Sequence, residues 1–304
     1  TGTPSPEPGP AGAATRLTQG ILMIIGLPAA LEYAERNGIG LAAINTPFFE
    51  GLLGVIDVAE RTDVPVILQF AQVHESIVAI EDMGPAMVEL ARRSSAPFVL
   101  HVDHGFDIDY IRKGLDIGFT SAMIDGSKLA YDENVRVTRE VVELAAERGA
   151  GVEGEIGVMT GNENGDPDQG VADAALYTDP QAAADFVRAT GVTALAASFG
   201  TVHGVYRRKP KLNYELITRL REATGVPIVM HGGSGLEPQE YQECIRHGVR
   251  KINYYTYSAK AAYDACPPLV EDPDVILFSD LARAARRAVE EDARRFIDVL
   301  RATA

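Results

Sequence analysis

Three histidines close three apolar, strand-like runs, and each is followed by glycine. His104-Gly105 closes Phe98 to Asp103, His203-Gly204 closes Ala194 to Val202, and His231-Gly232 closes Pro227 to Met230. Imidazole is the commonest protein ligand for zinc. Three protein ligands with a fourth position open is the pattern of a catalytic zinc, not a structural one. The chain therefore reads as a metal-dependent enzyme.

Carboxylates accompany these histidines. In His101-Val102-Asp103-His104, alternate residues of a strand point the same way, so Asp103 sides with His101 and His104 with Val102. Both Asp103 and His104 reach one mouth only if the strand ends near Val102. His101 reads as a packed, hydrogen-bonded residue behind the ligands. Val152-Glu153-Gly154-Glu155-Ile156 puts two carboxylates into an apolar strand. A buried carboxylate is costly unless paired or metal-bound, so a structural ion pair accounts for one and two together point to a metal or its surrounding shell. The polar loop Met159 to Asp168 follows. A connection longer than about 15 residues usually carries function or is disordered. Glu163 there is a candidate mobile acid or base, although a plain solvated loop has the same composition. His231-Gly232-Gly233-Ser234-Gly235 joins a strand to a helix, where backbone N–H groups and the helix dipole attract an anion.

These residues need a frame. Apolar runs predict strands at Leu41–Asn45, Val66–Phe70, Phe98–Val102, Ser121–Ile124, Gly151–Gly154, Ala194–Ser198, Pro227–Met230 and Lys251–Asn253. They are continuous, not alternating, as parallel strands covered on both faces must be. Amphipathic helices lie between them. Asp132 is expected to cap one that Gly149 stops, Asp179-Pro180 to open another that Gly191 closes, and Gly248 to end a third. Eight such units suit a (β/α)8 TIM barrel over residues 16–304. A doubly wound sheet would gather functional residues at one switch point. Here Asn45, Asp103, His104, Asp125, Glu153, Glu155, His203, His231 and Asn253 lie at many strand ends, as in a barrel mouth.

The 304 residues, 46% of them hydrophobic, can bury a large core. Residues 1–15, rich in Pro, Gly, Ala and Thr, read as a disordered tail. No run approaches the ~18 apolar residues of a membrane helix. Cys244 and Cys266, the only cysteines, form neither a disulfide framework nor a paired-ligand motif, which suits a cytoplasmic setting. A net charge of −15 argues against nucleic acid and anionic membranes. It leaves a phosphorylated small substrate open, because local amides and a cation can override the global field.

Six motifs together resemble the class II, metal-dependent ketose-bisphosphate aldolases from about Leu17 onward: His101 to Gly105, Ser121 to Ser127, Glu153 to Gly157, Leu176 to Pro180, Ser198 to Gly204 and His231 to Gly235. The resemblance implies zinc or another divalent metal on His104, His203 and His231, with Glu155 as an additional or alternative ligand. It implies that Asp103 moves the C4 hydroxyl proton and that Glu163 exchanges the carbon-bound proton of dihydroxyacetone phosphate. Gly204, Gly232, Ser234, Asn253 and Thr256 would hold the donor phosphate, with Asn45 on the substrate and a monovalent cation beside the phosphate. Phosphorylated ketoses and aldehydes would be the partners, and a homodimer or homotetramer the assembly. Cleaving a bond next to a ketone needs a Lewis acid or a Schiff-base lysine. Lys251 is the one lysine near a strand that offers the second route.

The chain departs from the family pattern at Tyr255, at Phe48 and Phe49 after Asn45, and at Ala71-Gln72, all where substrate should bind. Tyr255 either reshapes that pocket or packs against a neighbouring helix. Two rivals remain on the same barrel: a zinc-dependent hydrolase and a non-catalytic sugar-phosphate-binding relative.

Overall fold

The computed structural model describes residues 23–62, 64–157, 177–202 and 210–302. The expected tail, Glu163 with its loop, His203 and Gly204 lie outside the described residues. Eight parallel strands close into a barrel in sequence order. They are β1 (Leu41–Asn45), β2 (Val66–Ala71), β3 (Phe98–Gly105), β4 (Ser121–Ile124), β5 (Gly151–Ile156), β6 (Ala194–Ala197), β7 (Ile228–Met230) and β8 (Val249–Tyr254). Helices α1 (Leu27–Asn37), α2 (Phe49–Thr62), α3 (Ile80–Arg93), α4 (Ile108–Ile117), α5 (Tyr131–Ala146), α6 (Pro180–Thr190), α7 (Tyr214–Thr224) and α8 (Pro238–Arg246) alternate with them. A 3-10 helix, η1 (Gln72–Ser76), follows β2, and α9 (Thr256–Asp264), α10 (Pro267–Val270) and α11 (Phe278–Arg301) complete the ring. Among the described residues no helix is long and apolar enough to cross a membrane.

The helix ends obey their sequences with one exception. The Asp179 side chain accepts the Ala182 N–H at 2.9 Å, Pro180 opens α6, and Gly191 closes it with a positive φ of 75°. The expected cap at Asp132 is not found. Ala130 holds the capping position of α5 without a side-chain bond. Tyr131 is already helical and sets its ring edge-on to Phe186 at 6.3 Å, which leaves Asp132 inside the first turn. Its charge still favours the positive end of the helix dipole. Gly149 and Gly248 take positive φ just beyond α5 and α8.

Strand alternation sorts the barrel into layers. Outward residues such as Ile44, Leu68, Leu100, Leu195 and Ile252 pack under the helices. Inward residues Leu41, Ala43, Ile67, Val99, Ala194, Ala196 and Val229 meet Leu27, Ala30, Leu31 and Ala34 of α1, so α1 plugs the N-terminal end. Above this plug the inner face turns polar, with Gln69, His101, Ser121, Glu153 and Lys251 all fully buried. Above those stands the mouth.

Strand β3 corrects the expectation that it ends near Val102. It runs on to Gly105, and its register against β4 shifts between Val102 and Gly105. Within that bulge His104 takes a φ of 42°, the one positive value at a described non-glycine residue. The break in alternation lets His104 join Asp103 at the mouth. Gly105 permits it, because a Cβ there would stand 2.6 Å from Ile111 and 3.0 Å from the Met123 carbonyl.

Candidate active site

The mouth is built around two imidazoles. His104 Nε2 lies 2.8 Å from His231 Nδ1, with the rings nearly perpendicular at 86°. The far nitrogen of each ring meets a carboxylate: His104 Nδ1 is 3.2 Å from Asp125 Oδ2, and His231 Nε2 is 2.6 Å from Glu153 Oε1. The two near nitrogens lie at hydrogen-bonding distance from each other, and Asn253 Nδ2 stands 3.3 Å from His231 Nδ1. Two imidazole nitrogens this close, each ring backed by a carboxylate, are a donor pair suited to a shared proton or metal cation. Carboxylate-oriented histidine is also how metal ligands are usually held. The Asp103 carboxylate joins the two rings, with ligand atoms within 4.8 Å of one another, and His104, Asp125 and Glu155 form a second such group. Nitrogen and carboxylate donors of this kind suit zinc or a similar divalent ion.

The surrounding charges agree. Burial, and next the Asp125 charge, push the Glu155 carboxyl up to about 8, and among the described residues its Oε2 has no hydrogen-bond partner. Burial also raises Glu153, but the Lys251 ammonium, with His231 and His101, outweighs it and holds the carboxyl well below the usual range. Asp125 is likewise lowered: burial opposes ionisation, and His104 with the Ser127 hydroxyl and N–H overcomes it. His101 is no ligand. Its Nδ1 bonds Ser121 Oγ at 2.7 Å and its Nε2 lies 3.7 Å from Glu153 Oε2. That agrees with the supporting place expected of it.

Asp103 is held from both sides. Asn45 Nδ2 donates to its Oδ2 at 2.8 Å and Asn253 Nδ2 to its Oδ1 at 3.0 Å. Asn45 and Asn253, expected at the substrate, thus orient the Asp103 carboxylate. Lys251 Nζ donates to Asn253 Oδ1 at 2.6 Å and lies 2.9 Å from Glu153 Oε2. An ammonium engaged by two oxygens at full burial is not a free amine, so the Schiff-base alternative has no support here.

The β7–α8 turn forms a cradle beside the histidines. Gly232 sits at φ 63°, and a Cβ at Gly233 would stand 2.7 Å from Ile252. Ser234 Oγ accepts the Tyr255 N–H at 3.3 Å and ties this turn to the start of α9, where Thr256 is the first residue. Tyr255 does not fill the cradle. Its ring turns toward η1 and lies 4.5 Å from that of the buried His74. Ala71 is buried at the end of β2, and Gln72 Oε1 accepts the Phe106 N–H at 2.7 Å, joining the second and third loops. Sequence reading missed His74, which stands in no motif, placed Asp125 among the polar strand ends of the mouth without giving it a partner, and weighed Lys251 only as a Schiff-base alternative. The signal was present for Lys251 as a charge inside an apolar strand.

A closed parallel barrel whose mouth gathers histidine, carboxylate and amide around a cation-ready centre defines a metal-dependent barrel enzyme. The family model described as class-II fructose-bisphosphate aldolase matches residues 27–304. The chain is 37% identical over 264 residues to the Escherichia coli (strain K12) protein YdjI, covering 86% of this chain and 91% of that protein. It is 32% identical to a fructose-bisphosphate aldolase of Staphylococcus epidermidis over 89% and 95% of the two chains. The crystal structure of the Escherichia coli K12 YdjI aldolase superposes with a TM-score of 0.81 at 33% identity, over 91% of this chain and 97% of that one. A putative fructose-1,6-bisphosphate aldolase from Coccidioides immitis gives 0.79 at 29% identity, over 90% and 94%. The chain belongs to the class II fructose-bisphosphate aldolase family, and it is a lyase of that aldolase class.

His101 makes one property testable. Burial, and next the Lys251 charge, press its pKa from 6.5 down to about 3. Below pH 6.5 the unfolded chain takes up a proton there that the folded chain refuses, so stability is complete above that value and falls as pH drops toward 3. His101→Asn is expected to flatten the decline of Tm between pH 6.5 and 4. Parallel Tm profiles for variant and wild type would assign the acid limb to other groups.

Proposed function

We propose that the chain makes and cleaves a C–C bond in a ketose phosphate, with a dihydroxyacetone-phosphate-like donor. The close pair of carboxylate-backed nitrogens on His104 and His231 carries the reading, together with the family. In it His104, His203 and His231 hold a zinc-like divalent ion, and Glu155 serves as a further ligand. Such an ion supplies Lewis-acid stabilisation of the charge left on the donor when the bond breaks. Asp103, fixed by two amide N–H groups and kept in reach of the mouth, moves the C4 hydroxyl proton. Glu163 moves the carbon-bound proton of the donor. The cradle of Gly204, Gly232, Ser234, Asn253 and Thr256 takes the donor phosphate, with a monovalent cation beside it, and Asn45 reaches the substrate. A cytoplasmic setting belongs to the same reading, and the unpaired Cys244 and Cys266 are consistent with it.

The direct test is a panel of ketose phosphates read by mass spectrometry. Two carbonyl fragments are expected, lost on exhaustive chelation and restored by zinc or cobalt. Asp103→Asn should lower cleavage by about 10²–10⁴-fold with metal content unchanged. Release of inorganic phosphate in place of two fragments would favour the hydrolase, and full turnover in the metal-free protein would end the metal assignment.

Metal loading should also release a proton. With its carboxyl raised to about 8, Glu155 is largely protonated at pH 7 in the metal-free protein, and a ligating carboxylate must lose that proton. Zinc titration calorimetry in buffers of different ionisation enthalpy is expected to show close to one proton released at pH 7. Glu155→Gln should abolish it. Equal release by variant and wild type would remove Glu155 from the ligand set.

Tyr255 bears on the substrate. Its ring packs against His74 of η1, while its N–H stays with the cradle serine. The donor phosphate site is thereby kept and the acceptor side narrowed, without added charge for a second phosphate. kcat/KM should favour singly phosphorylated ketoses over fructose 1,6-bisphosphate, and Tyr255→Ala should reduce that preference. An efficient bisphosphate reaction that Tyr255→Ala leaves unchanged would show that the ring only packs.

A further inference from the structure

Lys251 lies below the mouth, on the inner face of β8, where its register partners are Leu41 of β1 and Val229 of β7. Both neighbours are apolar and fully packed, and barrel interiors at this depth are ordinarily filled by branched aliphatic residues. An ammonium here is expensive. A buried ion pair rarely stabilises a fold more than well-packed apolar residues of the same volume would. The expense has a visible return in two directions. Toward one side the ammonium faces Glu153 Oε2 at 2.9 Å, while the other oxygen of that carboxylate accepts from His231 Nε2 at 2.6 Å. Toward the other side it donates to Asn253 Oδ1 at 2.6 Å.

The second contact settles which end of the Asn253 amide points where. A carboxamide can be turned end for end at little steric cost, since its oxygen and nitrogen are nearly the same size. With its oxygen on a cation, Nδ2 must point away from Lys251, and it does so toward Asp103 Oδ1 at 3.0 Å and His231 Nδ1 at 3.3 Å. Turned the other way, Asn253 would set an N–H against an ammonium and a carbonyl oxygen against a carboxylate. Either clash is repulsive, and in a buried site it is weakly screened. One ammonium therefore aligns two chains of contact: Lys251–Asn253–Asp103 and Lys251–Glu153–His231.

We infer that Lys251 is a positioning residue for the reaction, touching no reacting atom, whose ammonium fixes the Asn253 carboxamide so that Asp103 is presented to substrate in one orientation and braces the Glu153 carboxylate behind His231. The inference rests on the aldolase reading of the mouth. It separates Lys251 from a plain stabilising ion pair, which would need neither the asparagine nor its orientation.

Two variants test it. Lys251→Met keeps the length and removes every donor. Lys251→Gln is neutral but keeps an N–H that can reach the asparagine oxygen. In the metal-free protein labelled with ¹⁵N-asparagine, the Asn253 side-chain amide is identified by its loss in Asn253→Ala. Its signal should shift in Lys251→Met and return toward the wild-type position in Lys251→Gln. In the metal-loaded enzyme, Lys251→Met should lower kcat about 10²-fold, Lys251→Gln should recover most of it, and Lys251→Met with Asn253→Ala should lose at least tenfold less than the product of the single losses. Calorimetric melting of each variant identifies any that is not folded, and Lys251→Gln then carries the comparison. An Asn253 signal that stays put in Lys251→Met, or losses that multiply in the double variant, would overturn the inference. A wild-type chain that cleaves no ketose phosphate overturns the aldolase reading instead, and the amide spectrum still decides the clamp.

Discussion

Two imidazole nitrogens 2.8 Å apart, each ring backed on its far side by a carboxylate, set the terms for the rest of the mouth. Asp103, Asp125, Glu153 and Glu155 crowd around them, and among the described residues of this network the one buried ammonium is that of Lys251. In a medium of low dielectric such an excess of negative charge is tolerable only with further positive charge or with a carboxyl kept protonated. Without metal the second route is taken, by Glu155. The same group is therefore a measure of how strongly the site demands a cation. The fold supplies the dryness that makes the demand strong, since the apolar plug around α1 closes the barrel from below.

Placing both histidines required a departure from regular strand geometry. A straight β3 would send Asp103 inward and His104 out under the helices. The bulge after Val102, with His104 at φ 42°, brings both into one site. Positive φ at a residue with a Cβ costs about 1 kcal/mol or more, and such strain persists where the surroundings over-determine it. Here the register of β3 and β4, the close approach at Gly105 and the Asp125 contact do so together. A backbone held this way presents His104 in a fixed direction before any ligand arrives.

The barrel was legible because parallel strands buried on both faces must be continuously apolar, and their ends then stand out wherever a polar residue interrupts. Leu41–Asn45 and Ser121–Ile124 emerge from the sequence with the bounds the structure has. Asp103, Glu155, His104 and His231 were legible for the same reason, as costly groups in apolar surroundings. The bulge was not, because it depends on Met123 and Ile111 approaching Gly105, while glycine follows three other histidines in the chain as well. The cap at Asp132 failed because an edge-on contact with Phe186, more than fifty residues away, draws Tyr131 into the helix. Lys251 was visible as an anomaly, but its partners come from β5 and from two positions along its own strand. Pairing of that kind is a property of closure and register.

The mouth divides its work by sector. The β3, β4 and β5 ends and His231 gather carboxylates and imidazoles, several with ligand atoms close enough to share one metal ion. The β7 and β8 ends carry the glycine turn, Ser234 and Asn253. The departures gather on the remaining arc, where Tyr255, His74, Gln72 and Phe106 link the loops after β8, β2 and β3. The ring contact of Tyr255 with His74 and the bond from the Phe106 N–H to Gln72 Oε1 tie these loops to one another, so a substitution at Tyr255 acts first on the packing of this arc.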